Sequence, residues 1–114
     1  MTRGAVLDFI DREFGGQYEV LEATVSVGTS AVEIAGGDGG RVVLVLVNLS
    51  ANAIYVAPTP QVGASHGIYL GGNGGALTLG VRDDLILPSL QWYALANQAA
   101  SSLYVVRVRQ FHAG

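Results

Sequence analysis

The feature that most constrains this fold is a two-residue period of apolar side chains, which begins near Gln17 and recurs along the rest of the chain. In residues 20–27, Leu21 and Val25 alternate with the polar Glu22 and Thr24. Such alternation places one face of a strand against a core and the other in solvent. Further short segments of this kind are separated by glycine-rich or proline-containing turns: 32–34, 41–50, 54–56, 68–70, 77–81, 91–97 and 102–110.

Roughly seven to nine short strands of this type predict an all-β fold, an antiparallel β-sandwich that is jelly-roll-like or immunoglobulin-like. The length of 114 residues fits one such domain. Residues 91–97 and 102–110 are separated by a short loop, so we expect them to pair as a hairpin. Asn48 and Ser50 are expected to turn a second hairpin after the strand that precedes them.

Residues 2–14 follow the helical period and predict one N-terminal α-helix, capped by Thr2 and ended by Gly15-Gly16. The chain is thus divided into a helical arm, 1–16, and a β-sandwich domain, 17–114. A helix of about 12 residues is marginal alone, so the arm must pack on its own sandwich or on a neighbour. Its apolar stripe consists of Val6, Leu7, Ile10 and Phe14.

Residues 42–47, with the sequence VVLVLV, break the alternation because they are apolar on both faces. In a two-layer antiparallel sandwich the outward face of each sheet normally meets water. A doubly apolar strand therefore requires a cover, which the N-terminal helix or another subunit would supply. The predicted interface comprises the arm stripe Val6, Leu7, Ile10 and Phe14 together with Val43, Val45 and Val47.

Composition argues against several classes of function. Only 13% of the residues are charged and the net charge is −3, which argues against a nucleic-acid surface, since phosphate binding needs clustered cations. The chain has no cysteine, so disulfides, zinc thiolates and cysteine nucleophiles are excluded. No apolar run approaches the roughly 20 residues that cross a bilayer. Acidic residues within 1–16 argue against a signal peptide and favour synthesis in a cytoplasm.

The sequence does not predict an enzyme or a cofactor site. His66 and His112 stand in a loop and a tail without a recognisable third partner. Asp83-Asp84 would bind a hard cation with Asp38, but a solvated acidic turn explains the pair better. Asn48 opens a glycosylation sequon that follows a buried strand, which makes a chance match the better explanation.

The aromatic residues offer a different kind of site, a platform on which a sugar would stack. The strand period places Trp92 and Tyr93 on opposite faces, so the two cannot share one platform. Core or interface packing is therefore the better prediction for most of the set, which comprises Tyr55, Tyr69, Trp92, Tyr93 and Tyr104.

The run from Arg41 to Arg109 resembles small β-sandwich structural proteins encoded by tailed bacteriophages. The segments that carry the resemblance are NLSAN at 48–52, IYV at 54–56, GIYLGG at 67–72, WYALA at 92–96 and SLYVV at 102–106. The resemblance implies a capsid decoration (cement), head-associated or tail-associated protein. It implies location in the virion, after synthesis in the host cytoplasm, and contacts with a major capsid or other virion protein.

We therefore expect a non-enzymatic structural protein that stabilises a particle through subunit contacts, as a homo-oligomer such as a trimer. No cofactor, nucleic acid or membrane is expected. The alternative is a carbohydrate-binding β-sandwich module of a phage tail or receptor-binding apparatus, which loop tyrosines such as Tyr69 favour.

Overall fold

Two antiparallel sheets make up the computed structural model, which describes residues 17–111. The predicted arm, with Val6, Leu7, Ile10 and Phe14, lies outside the described residues, as does His112. The strands are β1 (Gln17–Val27), β2 (Val32–Ala35), β3 (Arg41–Asn48), β4 (Ile54–Ala57), β5 (Ile68–Leu70), β6 (Ala76–Gly80), β7 (Trp92–Ala96) and β8 (Ser101–Phe111). A short helix α1 (Val81–Asp84) and a 3-10 turn (Leu87–Ser89) connect β6 to β7.

The first sheet has the strand order β1-β8-β3-β6 and the second has the order β2-β7-β4-β5. Strand β1 pairs with β8, β2 with β7, β3 with β6 and β4 with β5, all antiparallel. In these four pairs the first half of the chain runs antiparallel to the second half, as in one long hairpin. The further pairs β3 with β8 and β4 with β7 join the four pairs into the two sheets. Of the two predicted sandwich types, this strand order corresponds to the jelly roll.

Both predicted hairpins are wrong. Strands β7 and β8 follow each other through residues 97–100 but lie in different sheets, and the same is true of β3 and β4. The physical reason is that each of these strands carries buried apolar side chains on its inward side, which pack across the core between the two sheets, so consecutive strands face each other instead of pairing edge to edge. Ala100, with φ of 59°, turns the chain from one sheet to the other.

The core lies between the sheets and confirms the all-β sandwich. Leu44, Leu46 and Leu103 of the first sheet and Ile54 and Val56 of the second have no exposed surface. Trp92 closes one end of the core, 1% exposed, and its indole Nε1 donates a hydrogen bond to the carbonyl of Leu87 at 2.8 Å. Neither helical segment among residues 17–111 has the length and apolar character needed to cross a bilayer.

The segment between β6 and β7 consists of α1 and the 3-10 turn. Leu85 has φ of 56° and ψ of −117°, which reverses the chain after α1. Leu85 and Ile86 are consequently 74% and 67% exposed, while Pro88 is buried. The exposed Leu85 and Ile86 are therefore followed directly by a 3-10 turn that contains the buried Pro88 and bonds to Trp92.

Candidate assembly surface

The outward side of the first sheet is a continuous apolar surface, which we call the valine face. The inward Leu44 and Leu46 of β3 are fully buried, and the residues between them point outward and are half-buried. Strand β8 adds a second apolar column and β1 adds an exposed member. The valine face consists of Val20, Val43, Val45, Val47, Tyr104, Val106 and Val108.

The register of the strands joins these side chains into rows. Val43 lies opposite Val108, and Val108 lies opposite Val20, which is 54% exposed. Residues directly opposite on one face have Cβ atoms about 4.5–5.5 Å apart, so the patch is unbroken. The next two rows follow the same register and are Val45–Val106 and Val47–Tyr104.

Charge is nearly absent from this surface. Among the described residues that flank the valine face, Glu22 opposite Val106 carries the only charge, and Thr24 and Thr78 are neutral. A hydrogen bond to Glu22 raises the pKa of Tyr104, so the tyrosine is a neutral donor at ordinary pH. The surface therefore suits a neutral, apolar partner better than a charged one.

Val43, Val45 and Val47, which the sequence predicts as interface residues, lie together on the valine face. Val20 also belongs to this face but is not among the predicted interface residues. The signal was available, because Val20 occupies an outward position of β1, in phase with Glu22. The two-residue period of β8 puts Tyr104, Val106 and Val108 on one side of the strand, and in the structure this apolar side faces outward.

The segment 48–52 and the segment 67–72 of the resemblance meet at the opposite end of the sandwich from Arg41. Asn48 is fully buried, and its Nδ2 donates to the carbonyls of Asn52, Leu70 and Gly71 at 2.6, 3.0 and 3.2 Å. Its Oδ1 accepts from the backbone N–H of Ser50 at 3.0 Å. Both the Nδ2 and the Oδ1 of Asn48 are therefore engaged in hydrogen bonds inside the protein. This agrees with interpreting the sequon as a chance match.

At the other end of the sandwich, the buried Arg41 connects strand β3 to neighbouring segments. Arg41 is 3% exposed and donates to the carbonyls of Pro88, Leu90 and Gly36. Burial lowers the pKa of Arg41. Nothing in the sequence pattern predicts this buried arginine, because a cation at the start of a strand normally reaches solvent.

Ionic contacts of Arg109 on β8 join two further segments near that end, strand β1 and the loop before β3. Its Nε donates to Asp38 at 2.8 Å, and its Nη1 lies 3.6 Å from Glu19. The hydrogen bond from Arg109 lowers the pKa of Asp38. Asp38 is therefore an ion-pair partner of Arg109 in the fold.

The second sheet presents tyrosines on its outward side. Tyr55 and Tyr69 are cross-strand neighbours with ring centroids 5.7 Å apart and planes inclined by 53°. Tyr93 points outward and Trp92 inward, as predicted. The five aromatic residues named from the sequence are therefore divided among the core, this face and the valine face.

The remaining candidates do not form a reaction centre among residues 17–111. No group of three His, Cys, Asp or Glu residues there is arranged to hold a metal ion. His66 is exposed and borders an apolar cavity of about 360 Å³ that residues 56–59 and 66–68 line. Asp84 accepts a hydrogen bond from the N–H of Gly80 at 2.9 Å.

No protein-family model and no curated protein matches the chain. A solved structure with some similarity belongs to the Bacillus endospore appendages, which are described as a novel family of disulfide-linked pili. It is 12% identical, with a TM-score of 0.44, and the match covers 86% of this chain and 93% of that chain. A likeness of this size carries no argument about function.

Proposed function

We propose that this chain is a non-enzymatic structural protein of a virus particle, a capsid decoration (cement) or head-associated protein of a tailed bacteriophage. The observation that carries the proposal is the valine face, an apolar outward surface on a chain with only 13% charged residues. Jelly rolls occur in viral capsid and lectin domains. Since a fold alone does not define a function, the particle itself comes from the sequence resemblance.

The protein acts by burying the valine face against other subunits, without a cofactor. Each 100 Å² of apolar surface removed from water contributes about 2.5 kcal/mol before ordering costs. The contacts form a homo-oligomer such as a trimer and attach it to a major capsid or other virion protein. The proposed contact residues are Val43, Val45 and Val47, with Val6, Leu7, Ile10 and Phe14 of the arm.

The test of the particle role is mass spectrometry of purified particles made by the genome that encodes the chain. We expect the unmodified protein and a Leu95→Glu variant to co-purify with the particles, and a Val45→Glu variant to be lost from them. Both positions are half-buried on an outward face, but Leu95 lies opposite Tyr55 on the second sheet. Absence of the unmodified protein from the particles would refute the role.

A carbohydrate-binding module is the second candidate, favoured by the contact between Tyr55 and Tyr69. Tyr69 is 63% exposed, and aromatic rings with one apolar side and one hydroxyl suit a sugar ring. A glycan array tests this candidate directly: glycans that bind the unmodified protein and not Tyr69→Ala would support it. An array without any bound glycan would remove it.

A further inference from the structure

The valine face is broader than one strand and leaves room for a helix. Its two main columns stand on β8 and β3, which are adjacent in the sheet. Adjacent strands are about 5 Å apart, and a helix with its side chains is about 10–12 Å wide. A single helix therefore covers both columns at once.

The sixteen residues before Gln17 have the matching chemistry. They are predicted to form an amphipathic helix whose stripe ends at Phe14, the largest apolar side chain in it. In that predicted helix the acidic residues Asp8 and Asp11 fall outside the apolar stripe, so we expect them to remain in water. The row of Val45 and Val106 is the central one of the valine face, with the apolar rows Val43–Val108 and Val47–Tyr104 on either side. A phenylalanine over this row contacts apolar side chains on both sides, so we expect Phe14 to bury the most apolar surface there.

The tether to β1 prevents a chain from doing this to its own face. Val45 lies opposite Val106, which lies opposite Glu22, so Val45 is two strands across from Glu22. Five residues along β1 from Gln17 add about 16 Å and two strand spacings add about 9.5 Å, giving a separation of about 19 Å between Gln17 and Val45. Three residues span at most about 11 Å, so Phe14 stays at least about 8 Å from Val45 of its own chain.

We infer that the arm of one copy docks on the valine face of a second copy, with Phe14 over the row of Val45 and Val106. The inference rests on the proposed function, because it names the segment that covers the same surface. Each copy donates one arm and offers one face, so the contact gives a reciprocal pair, a ring or, where the rotation between copies does not close, a filament.

The absence of cysteine from the chain makes the test direct. A Phe14→Cys chain is mixed with a Val45→Cys chain that carries a mass tag, and mild oxidant is added. A disulfide requires Cα atoms within about 7 Å, and because the two cysteines are on different chains, it forms only between copies. We expect a covalent heterodimer on a non-reducing gel, formed at least tenfold faster than between Phe14→Cys and Leu95→Cys chains.

The opposite arrangement, an arm on its own face, has its own signature. Val20 is near the tether on β1, so a Phe14→Cys/Val20→Cys double variant would then close within one chain and stay monomeric. Such closure without the heterodimer overturns the inference, and so does a heterodimer no faster than the Leu95→Cys control. Thermal melting by circular dichroism confirms that each variant is folded before oxidation.

Light scattering on the unmodified protein separates this failure from failure of the proposed function. Oligomers without the Phe14–Val45 disulfide would leave the proposed assembly standing and overturn the arm contact. A monomer at every concentration would overturn both.

Discussion

At the residue scale, the buried side chain of Asn48 forms hydrogen bonds with four backbone groups, three carbonyls and one N–H. It satisfies three carbonyls from two separate segments while having no exposed surface. Close packing surrounds it: a Cβ at Gly72 would lie 2.4 Å from the carbonyl oxygen of Ala51. The side chain of Asn48 and the close approach at Gly72 thus connect the loops 48–52 and 67–72.

Replacing Asn48 with alanine should lower the free energy of unfolding by about 2–4 kcal/mol, because buried acceptors lose their donor. The matched control is Asn97→Ala. Asn97 is exposed and accepts one hydrogen bond, from Ala53 N–H at 3.1 Å, so about 0.5 kcal/mol is expected. Chemical denaturation of both variants measures the difference. Equal losses would contradict this role of Asn48.

Leu85 is strained, since its φ of 56° is one that glycine adopts without cost. Leu85→Gly should raise the free energy of unfolding by about 0.5–1 kcal/mol, because the strain relieved exceeds the added entropy of the unfolded chain. Its neighbour Ile86 has an ordinary φ of −85°, so Ile86→Gly should not stabilise the fold. A lower melting temperature for Leu85→Gly would refute the assignment of strain.

At the element scale, Arg41 ties the first residue of β3 to the 3-10 turn and to the loop that follows β2. A guanidinium presents its donors in a fixed planar fork, whereas an ammonium is a point charge. Arg41→Lys should therefore lower the free energy of unfolding by about 2 kcal/mol. The exposed Arg82→Lys serves as control, with little change expected. Thermal unfolding that does not distinguish the two would contradict this role.

The elements themselves were largely predictable, and their connections were not. The two-residue period located the segment of every strand, including β5 at Ile68–Leu70. It does not tell which sheet a strand joins, so the short link between β7 and β8 was interpreted as a hairpin turn. The period also does not indicate the positive φ of Leu85, because a left-handed backbone conformation at a leucine leaves no trace in the spacing of apolar residues.

The candidate surface was predictable from the same pattern, but only in part. Val43, Val45 and Val47 stood out because β3 is apolar on both sides. The period placed Val20 on the same side of β1 as Glu22, and the pairing of β1 with β8 adds that Val20 lies opposite Val108 on the valine face. The burial of Arg41 could not be predicted from the sequence pattern, since two of its three partners are backbone carbonyls from a segment distant in sequence.

At the scale of the whole molecule, the Asp38–Arg109 contact links the loop before β3 to β8. Because the folded-state pKa of Asp38 is lowered from 3.8, the pair stabilises the fold above that pH and its contribution is lost as the pH falls through the folded value. Asp38→Asn should therefore lower stability near neutral pH, and its difference from the unmodified protein should shrink below about pH 4. A difference that stays constant from pH 7 to pH 3 would contradict the assignment.

Assembly through the valine face is the central claim at this scale. A carboxylate placed on that face would have to be buried without a partner, which costs several kcal/mol. The same substitution at Leu95 adds a carboxylate to an equally half-buried outward position on the other sheet, so it tests for a general effect of added charge.

The most direct measurement is size-exclusion chromatography with light scattering on the unmodified protein, Val45→Glu and Leu95→Glu. We predict a defined oligomer for the unmodified protein and Leu95→Glu, and a folded monomer of 11.8 kDa for Val45→Glu. A folded monomer for the unmodified protein at high concentration, or an oligomer that Val45→Glu leaves intact, would contradict the account.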